Sequence, residues 1–413
     1  MADEFLALLD ESRLAALELG AAPSELRKRG IMAIADAIES AAAEIVAANA
    51  DDIERGRATG LAQNLQDRLL LDSERVQGLA DAARALASLP DPVGEVLREH
   101  TTEDGLRIAQ VRVPFGVIGA IYEARPNVTV DIACIAIGTG NAVVTRGGSA
   151  AESTNRVLIG LMQRALESVG LPQKSVQTID RFGREGAGRL MTARGRVDLL
   201  IPRGSASLIQ RVVTESTVPV IETGSGIVHV YVHASADLAM AVEIVRNAKT
   251  HRTSVCNAME TVLIDRDIAE SAVPAIVTAL QADGVVLRSD DASIQGVEPL
   301  TDTGWGTEYL ALEAGMRIVD GVDAAVEHIN LHGTHHTDSI VAEDVAAVSR
   351  FLQRVDSAVV MHNASTRFTD GGVFGFGAEV GISTQKAHAR GPMGLPELTS
   401  TKWIVRGTGQ VRA

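Results

Sequence analysis

Apolar residues recur at helical spacing through the first 90 residues or so of the chain. Leu26, Ile31, Ile34, Ala35 and Ile38 fall on one face of a 3.6-residue period, and Pro23-Ser24 ahead of them is a helix start signal. The stretch is rich in Ala, Leu, Glu and Arg and predicts a helical layer covering something else. Pro90 and Pro92 end it. Residues 95–100 and 106–113 flank Glu103-Asp104-Gly105 and alternate in polarity, which predicts a hairpin. From Phe115 onward, β-rich apolar runs at 117–121, 142–144, 197–201 and 218–221 are separated by helical segments such as 153–169. Strand–helix alternation implies parallel βαβ units. A second series covers 227–232, 238–247, 260–264, 272–282 and 284–287. A third covers 316–329, 338–341, 344–352 and 358–361. The tail from Phe374 is Gly-rich and regains strand character at 402–405, so the early hairpin and this late strand are expected to pair with each other or with another subunit. No internal repeat or low-complexity tract interrupts the pattern.

A chain of 413 residues is too long for one compact core, and two α/β domains account for the alternation. With 46% hydrophobic and 22% charged residues, the composition is that of a globular protein rather than a disordered one. The 38 basic and 53 acidic residues give a net charge of −15, and there is no basic run. Nucleic acid and anionic membrane surfaces are therefore disfavoured partners, since both need clustered Lys and Arg. An aromatic content of 3% also argues against stacking platforms for single strands. No apolar stretch reaches the roughly 18 residues that span a bilayer. Asp131 interrupts the best candidate, 128–137, and Asp3 and Glu4 stand where an export signal needs positive charge. A cytoplasmic location is expected.

Two cysteines cannot form a disulfide framework, so chemistry or packing must account for them. Cys256 lies in a polar loop leading into the strand at 260–264, with Lys249, His251 and Arg252 nearby to favour a thiolate. Cys134 lies in an apolar helical stretch that suits an inert buried thiol. Glycine clusters occur at 183–188, 203–205 and 222–226, and none is a GxGxxG after a strand. Arg203-Gly204-Ser205 does follow a strand and precede a helix, so it reads either as a pyrophosphate cradle or as a tight turn. His332-Gly333-Thr334-His335-His336 belongs to no Cys/His quartet, so a solvated or substrate-lining loop is expected rather than a metal site. Glu222, after Pro219-Val220-Ile221, reads as a general base or a strand-end carboxylate.

Taken together, several strings resemble the aldehyde dehydrogenase superfamily, and within it the γ-glutamyl phosphate reductase family, over essentially the whole chain from about residue 5. They are Pro114-Phe115-Gly116-Val117-Ile118-Gly119 running into Tyr122-Glu123-Ala124-Arg125-Pro126-Asn127, Asp198-Leu199-Leu200-Ile201-Pro202-Arg203-Gly204, Val255-Cys256-Asn257-Ala258, Gly377-Ala378-Glu379-Val380-Gly381-Ile382-Ser383-Thr384, and His388-Ala389-Arg390-Gly391-Pro392-Met393-Gly394-Leu395. The resemblance implies an α/β, aldehyde dehydrogenase-like fold. Its expected parts are an NADP-binding domain at 1–96 and 114–224, a catalytic domain at 225–385 that brings Cys256 to a cleft, and an oligomerisation β-flap at 97–113 and 386–413. It also implies the reaction: L-glutamyl 5-phosphate and NADPH give L-glutamate 5-semialdehyde, NADP+ and phosphate. The expected partners are this small substrate, further copies of the chain and the upstream glutamate kinase.

By position, Cys256 matches the family nucleophile. Arg125 and Asn127 are expected to donate to the acyl phosphate and the developing oxyanion. Glu222 falls on the superfamily's general base. A reductase must keep water from its thioester, so Glu222 is placed near the nicotinamide or substrate, and a hydrolytic dehydrogenase using it as base is the rival reading. A non-catalytic scaffold relative is a second rival, disfavoured by the intact surroundings of Cys256. His388 and Arg390 are candidates for the substrate α-carboxylate or phosphate, or for an inter-subunit contact. For the cofactor, NADP(H), Arg146 stands at the ribose-binding Lys position, and Ser149 stands where NAD-preferring relatives often carry Glu. A cation without a nearby carboxylate suits the 2′-phosphate. Gly204 and Ser205 match the pyrophosphate turn, Thr223 and Gly224 join the cofactor set, and Glu308 matches the acid that holds the nicotinamide ribose. The chain departs from the family pattern in having Ile227-Val228 after the Glu-Thr-Gly string and in having His251, which leaves a Cys–His pairing open.

Overall fold

The computed structural model describes residues 2–300, 304–377 and 379–412, apart from the side chains of residues 2, 3 and 64. The chain divides into two compact units. One comprises Met1–Thr223, Gly375–Gly381 and Met393–Ala413, and the other Gly224–Phe374 and Ile382–Pro392.

The first unit opens with the helices Ala2–Ala21, Ser24–Ser40, Ala42–Ala58, Gln63–Leu69 and Ser73–Ala87. The stripe read from periodicity is the buried face of Ser24–Ser40, with Ile31, Ile34, Ala35 and Ile38 inside. Asp72 starts Ser73–Ala87 by accepting from Arg75 N. A four-stranded parallel sheet follows, in the order Val176–Thr178, Ala142–Arg146, Val117–Tyr122, Leu199–Arg203. Every position of Val117–Tyr122 is buried, as expected of a parallel strand covered on both faces. Phe5, Leu8 and Leu9 of the first helix close the core with Val117, Ile121, Val144 and Leu200. The helix Pro126–Gly138 begins with Pro in its first turn and is apolar nearly all round, so it is buried along its length.

One expected strand does not form. Segment 218–221 contributes a single bridge, Leu200 to Val220. Pro219 has no N–H to donate, so its carbonyl accepts from Leu200 N and only Ile221 N donates back to Leu200 O. Strand Val176–Thr178, three residues long, was too short to show a period.

A separate antiparallel sheet joins Val96–Thr101, Arg107–Pro114 and Thr399–Arg406. The late strand runs beside the hairpin for eight residues, from Thr399 opposite Pro114 to Arg406 opposite Arg107, so this pairing is intramolecular. Trp403 and Val405, each 56% exposed, and Val96 leave apolar surface on it.

The second unit is built on a seven-stranded parallel sheet. Its order is Glu298–Pro299, Val286–Ser289, Glu313–Val319, Met259–Asp265, Val228–Val232, Thr337–Val341, Val359–His362. The helices Leu238–Thr250, Ala269–Ala282, Gly321–His332 and Val345–Arg354 connect the strands. Asp237 and Asp344 cap two of them with their carboxylates. The single apolar run at 316–329 resolves into a strand and a helix, broken at Gly321, whose φ of +78° only Gly adopts readily. No helix among the described residues is long and apolar enough to cross a membrane.

Candidate active site

Cys256 occupies the loop that leads from helix Leu238–Thr250 into the amino end of strand Met259–Asp265, and loops held by a rigid scaffold are where reactive groups are placed. It is partly exposed and forms no disulfide with buried Cys134. Gly226 makes the loop possible. A Cβ at position 226 would come within 1.5 Å of Cys256 O, so only Gly allows this backbone approach. Gly226 N in turn donates to Glu308 Oε1 at 2.8 Å. The acid expected at the nicotinamide ribose is thus fastened to the strand entry that packs on Cys256.

Lys249 does not do what its place in the sequence suggested. It was expected to be a cation beside the thiol. Instead its Nζ donates to Glu260 Oε2 at 2.7 Å, with both side chains fully buried. The reason is helical phase, since Ala241, Val245, Ala248 and Lys249 share the buried face of the helix. Burial pushes Glu260 up to about 7 and Lys249 below its usual range, each shift resisted by the partner's charge. Glu260 Oε1 also accepts from Leu310 N at 3.3 Å, which ties the segment carrying Glu308 to the base of the Cys256 loop.

The cation near Cys256 comes instead from Arg367, which the sequence analysis missed. Its Nε donates to His251 Nδ1 at 3.4 Å. Burial lowers its pKa, and the charges of Cys256 and Asp370 oppose that shift while Arg252 adds to it. His251 is exposed and engaged with this guanidinium. His388 is exposed, and Arg390 donates through Nη2 to Asp356 O at 3.0 Å and to Asp356 Oδ1 at 2.9 Å. Lys386 pairs with the same carboxylate. Gly224 N donates to Ile382 O at 3.2 Å, and a Cβ there would strike Thr384.

The remaining candidates lie in the first unit. Arg125 precedes helix Pro126–Gly138, after Ala124 with φ +39°. Asn127 Nδ2 donates to Asp131 Oδ2 at 3.2 Å, one turn along. Burial pushes Asp131 up to about 6, against the Asn127 hydrogen bond and the charge of Arg203. At Gly204, an added Cβ would meet Glu123 Oε2 at 2.7 Å and Leu208 Cδ2 at 2.8 Å. Ser205 caps helix Ala206–Glu215, and its N donates to Glu123 Oε2 at 2.9 Å. This turn therefore holds a carboxylate on backbone N–H at a helix start, which is the chemistry an anion needs. Thr223 is buried and donates to Pro202 O at 2.8 Å, and Glu222 beside it is half-buried.

Arg146 ends strand Ala142–Arg146, and its Nε is buried without a hydrogen-bond partner among the described residues. The premise that no carboxylate lies near it does not hold. Asp180, which accepts from Gly147 N at 2.7 Å, feels the charge of Arg146. The two are remote in sequence, and parallel pairing of their strands brings them together.

A family model for the aldehyde dehydrogenase family matches residues 3–296. The chain belongs to the aldehyde dehydrogenase family. It is 59% identical to a γ-glutamyl phosphate reductase of Clavibacter michiganensis over 415 residues, covering 100% of this chain and 96% of the relative. It is 56% identical to one of Leifsonia xyli, covering 97% and 96%. The crystal structure of γ-glutamyl phosphate reductase from Thermotoga maritima superposes with a TM-score of 0.96 at 43% identity, covering 99% of this chain and 100% of that one. The expected fold class is thus observed: an α/β, aldehyde dehydrogenase-like architecture with parallel sheets.

Proposed function

We propose that the chain reduces L-glutamyl 5-phosphate to L-glutamate 5-semialdehyde with NADPH, releasing phosphate, as a step of proline biosynthesis. The observation that carries the reading is the Cys256 loop, fixed by Gly226 and set beside Arg367. An acyl phosphate is already activated, so the Cys256 thiolate displaces phosphate and forms a thioester. When bound, NADPH supplies the hydride that reduces this thioester to a hemithioacetal. Collapse of the hemithioacetal releases the aldehyde and returns the thiolate. Arg125 and Asn127 donate to the carbonyl oxygen as charge develops there. In this reading Glu222 serves near the nicotinamide or substrate without activating water, because hydrolysis would waste the thioester.

The residues present fit an anionic dinucleotide. The turn at Gly204 and Ser205 already holds a carboxylate, and the buried Nε of Arg146 has no hydrogen-bond partner among the described residues. Arg146 would hold the 2′-phosphate, the turn the pyrophosphate, and Glu308 the nicotinamide ribose, with Thr223 and Gly224 beside them. Asp180 next to Arg146 weakens the preference for NADP over NAD, since a carboxylate repels the 2′-phosphate. The apolar surface of the three-stranded sheet supports pairing with further copies of this chain. The test is the reverse reaction. NADP+ reduction with glutamate 5-semialdehyde should require phosphate. Phosphate-independent reduction yielding glutamate contradicts the reading and favours a hydrolytic enzyme.

A further inference from the structure

Arg367 lies outside the motifs by which the family is recognised. It sits in the short turn Thr366–Phe368, where its own N donates to Ser365 Oγ at 3.3 Å. Two bonds clip this turn to the residue after Cys256. Thr366 Oγ1 donates to Asn257 O at 2.8 Å, and Asn257 Nδ2 donates to Thr369 O at 2.7 Å. Asn257, Thr366 and Thr369 are all buried, so a fixed scaffold sets where the guanidinium emerges.

The guanidinium itself is incompletely satisfied. Its Nε reaches His251, but Nη1 is buried with no hydrogen-bond partner among the described residues. Leaving a buried donor on a charged group unmade is costly, and a ligand that accepts from it removes that cost. A second cation, Arg252, acts on Arg367, with Asp370 the one carboxylate among the groups it feels most strongly. Once Cys256 is acylated its charge is gone, and the two guanidinium groups then face the single carboxylate of Asp370, a setting that suits an anion.

We propose that Arg367 is a catalytic residue that binds the phosphate of the acyl-phosphate substrate, with Arg252 adding charge at the same subsite. The proposal rests on Cys256 being the nucleophile. In the displacement, the Sγ–C bond forms and the C–O bond to phosphate breaks, with its electron pair going to the phosphate oxygen. The proton that the thiol lost in becoming a thiolate ends on the departing phosphate. Arg367 neutralises the charge that builds on that oxygen, and in reverse it holds inorganic phosphate for attack on the thioester.

The experiment is phosphate protection of Cys256 against iodoacetamide, read by mass spectrometry of the Cys256 peptide, together with the KM for phosphate in the reverse assay. In the wild-type protein, phosphate slows alkylation. Arg367→Gln should need at least ~10-fold more phosphate for the same protection, a change of ~1.4 kcal/mol. It should raise the KM for phosphate by a similar factor and the KM for aldehyde less than about twofold. Arg367→Lys should recover part of the phosphate affinity, because it keeps the charge but not the fork. Arg252→Gln, on an exposed residue, should shift the same readings in the same direction by a smaller factor, and it carries the test if Arg367→Gln does not fold. Unchanged protection in a folded Arg367→Gln protein, or equal rises in both KM values, overturns the proposal. Phosphate-dependent turnover by Cys256→Ser would instead remove the underlying reading, whatever Arg367 does.

Discussion

Cys134 and Cys256 place the same atom in opposite surroundings. Cys134 is 1% exposed on helix Pro126–Gly138, among buried Val130, Ile132, Ala133, Ile135 and Ile137. Burial, aided by the charge of Asp131, pushes its thiol up and keeps it protonated. Cys256 sits in a loop braced by Lys249 and Glu260, a fully buried ion pair, with Arg367 close by. The same unit also buries His229 on Asp338, at 2.9 Å, and packs His328 edge-on against His229 and Trp305. The apolar region uses sulfur as a packing atom. The polar region accepts the desolvation cost of buried charge, which well-packed hydrophobic residues would avoid, and gains a fixed loop around a partly exposed thiol.

That contrast can be broken most sharply at the nucleophile. Cys256→Ala should lower turnover at least ~10^3-fold and leave the thermal unfolding midpoint almost unchanged, as steady-state rates and calorimetry would show. The buried pair comes next. Lys249→Met leaves the Glu260 carboxylate buried without its cation and should cost about 3–5 kcal/mol in urea unfolding, whereas Lys249→Met with Glu260→Leu should recover most of the loss. If the single variant is as stable as wild type, the pair does not brace the loop.

Cys134→Ala removes a buried sulfur from a close-packed helix and should cost about 1–2 kcal/mol with unchanged kcat and KM. A drop in kcat beyond about tenfold would erase the distinction between the two cysteines. The smallest effect concerns acid. Burial, reinforced by the charges of His229, His332 and Arg317, pushes His328 down to about 2, while an unfolded histidine titrates near 6.5. Below that value the unfolded chain binds a proton that the native one refuses. Stability should therefore be full above about pH 6.5 and fall with decreasing pH by up to ~1.4 kcal/mol per unit from this group. His328→Phe should flatten that slope in urea titrations between pH 7 and pH 5, and an unaltered slope would show that His328 is not its source.

Much of the fold was legible because its elements are periodic. The stripe from Leu26 to Ile38 and the βαβ series follow from spacing, whereas the hairpin and the late strand were legible as strands and only the structure shows that they pair with each other. Pro219 carried its own warning against a ladder, and the phase of Ala241, Val245 and Ala248 could have shown that Lys249 points inward. What remained hidden depends on contacts between distant segments. Asp180 reaches Arg146 through parallel strand pairing, and Arg367 reaches the Cys256 loop through Asn257. Neither has a local sequence signal. The Cys256 loop itself was legible because a polar loop before a buried strand is a local feature.

The central claim is that Cys256 carries the acyl group, and a trapped intermediate tests it most directly. The enzyme would be mixed with glutamate 5-semialdehyde and NADP+ in the absence of phosphate, quenched in acid, digested and analysed by mass spectrometry. The account predicts a glutamyl group on the peptide containing Cys256, with none on Cys134, and its discharge when phosphate is added before the quench. Phosphate-dependent NADP+ reduction with no acyl group on Cys256, or with the acyl group on another residue, would contradict it.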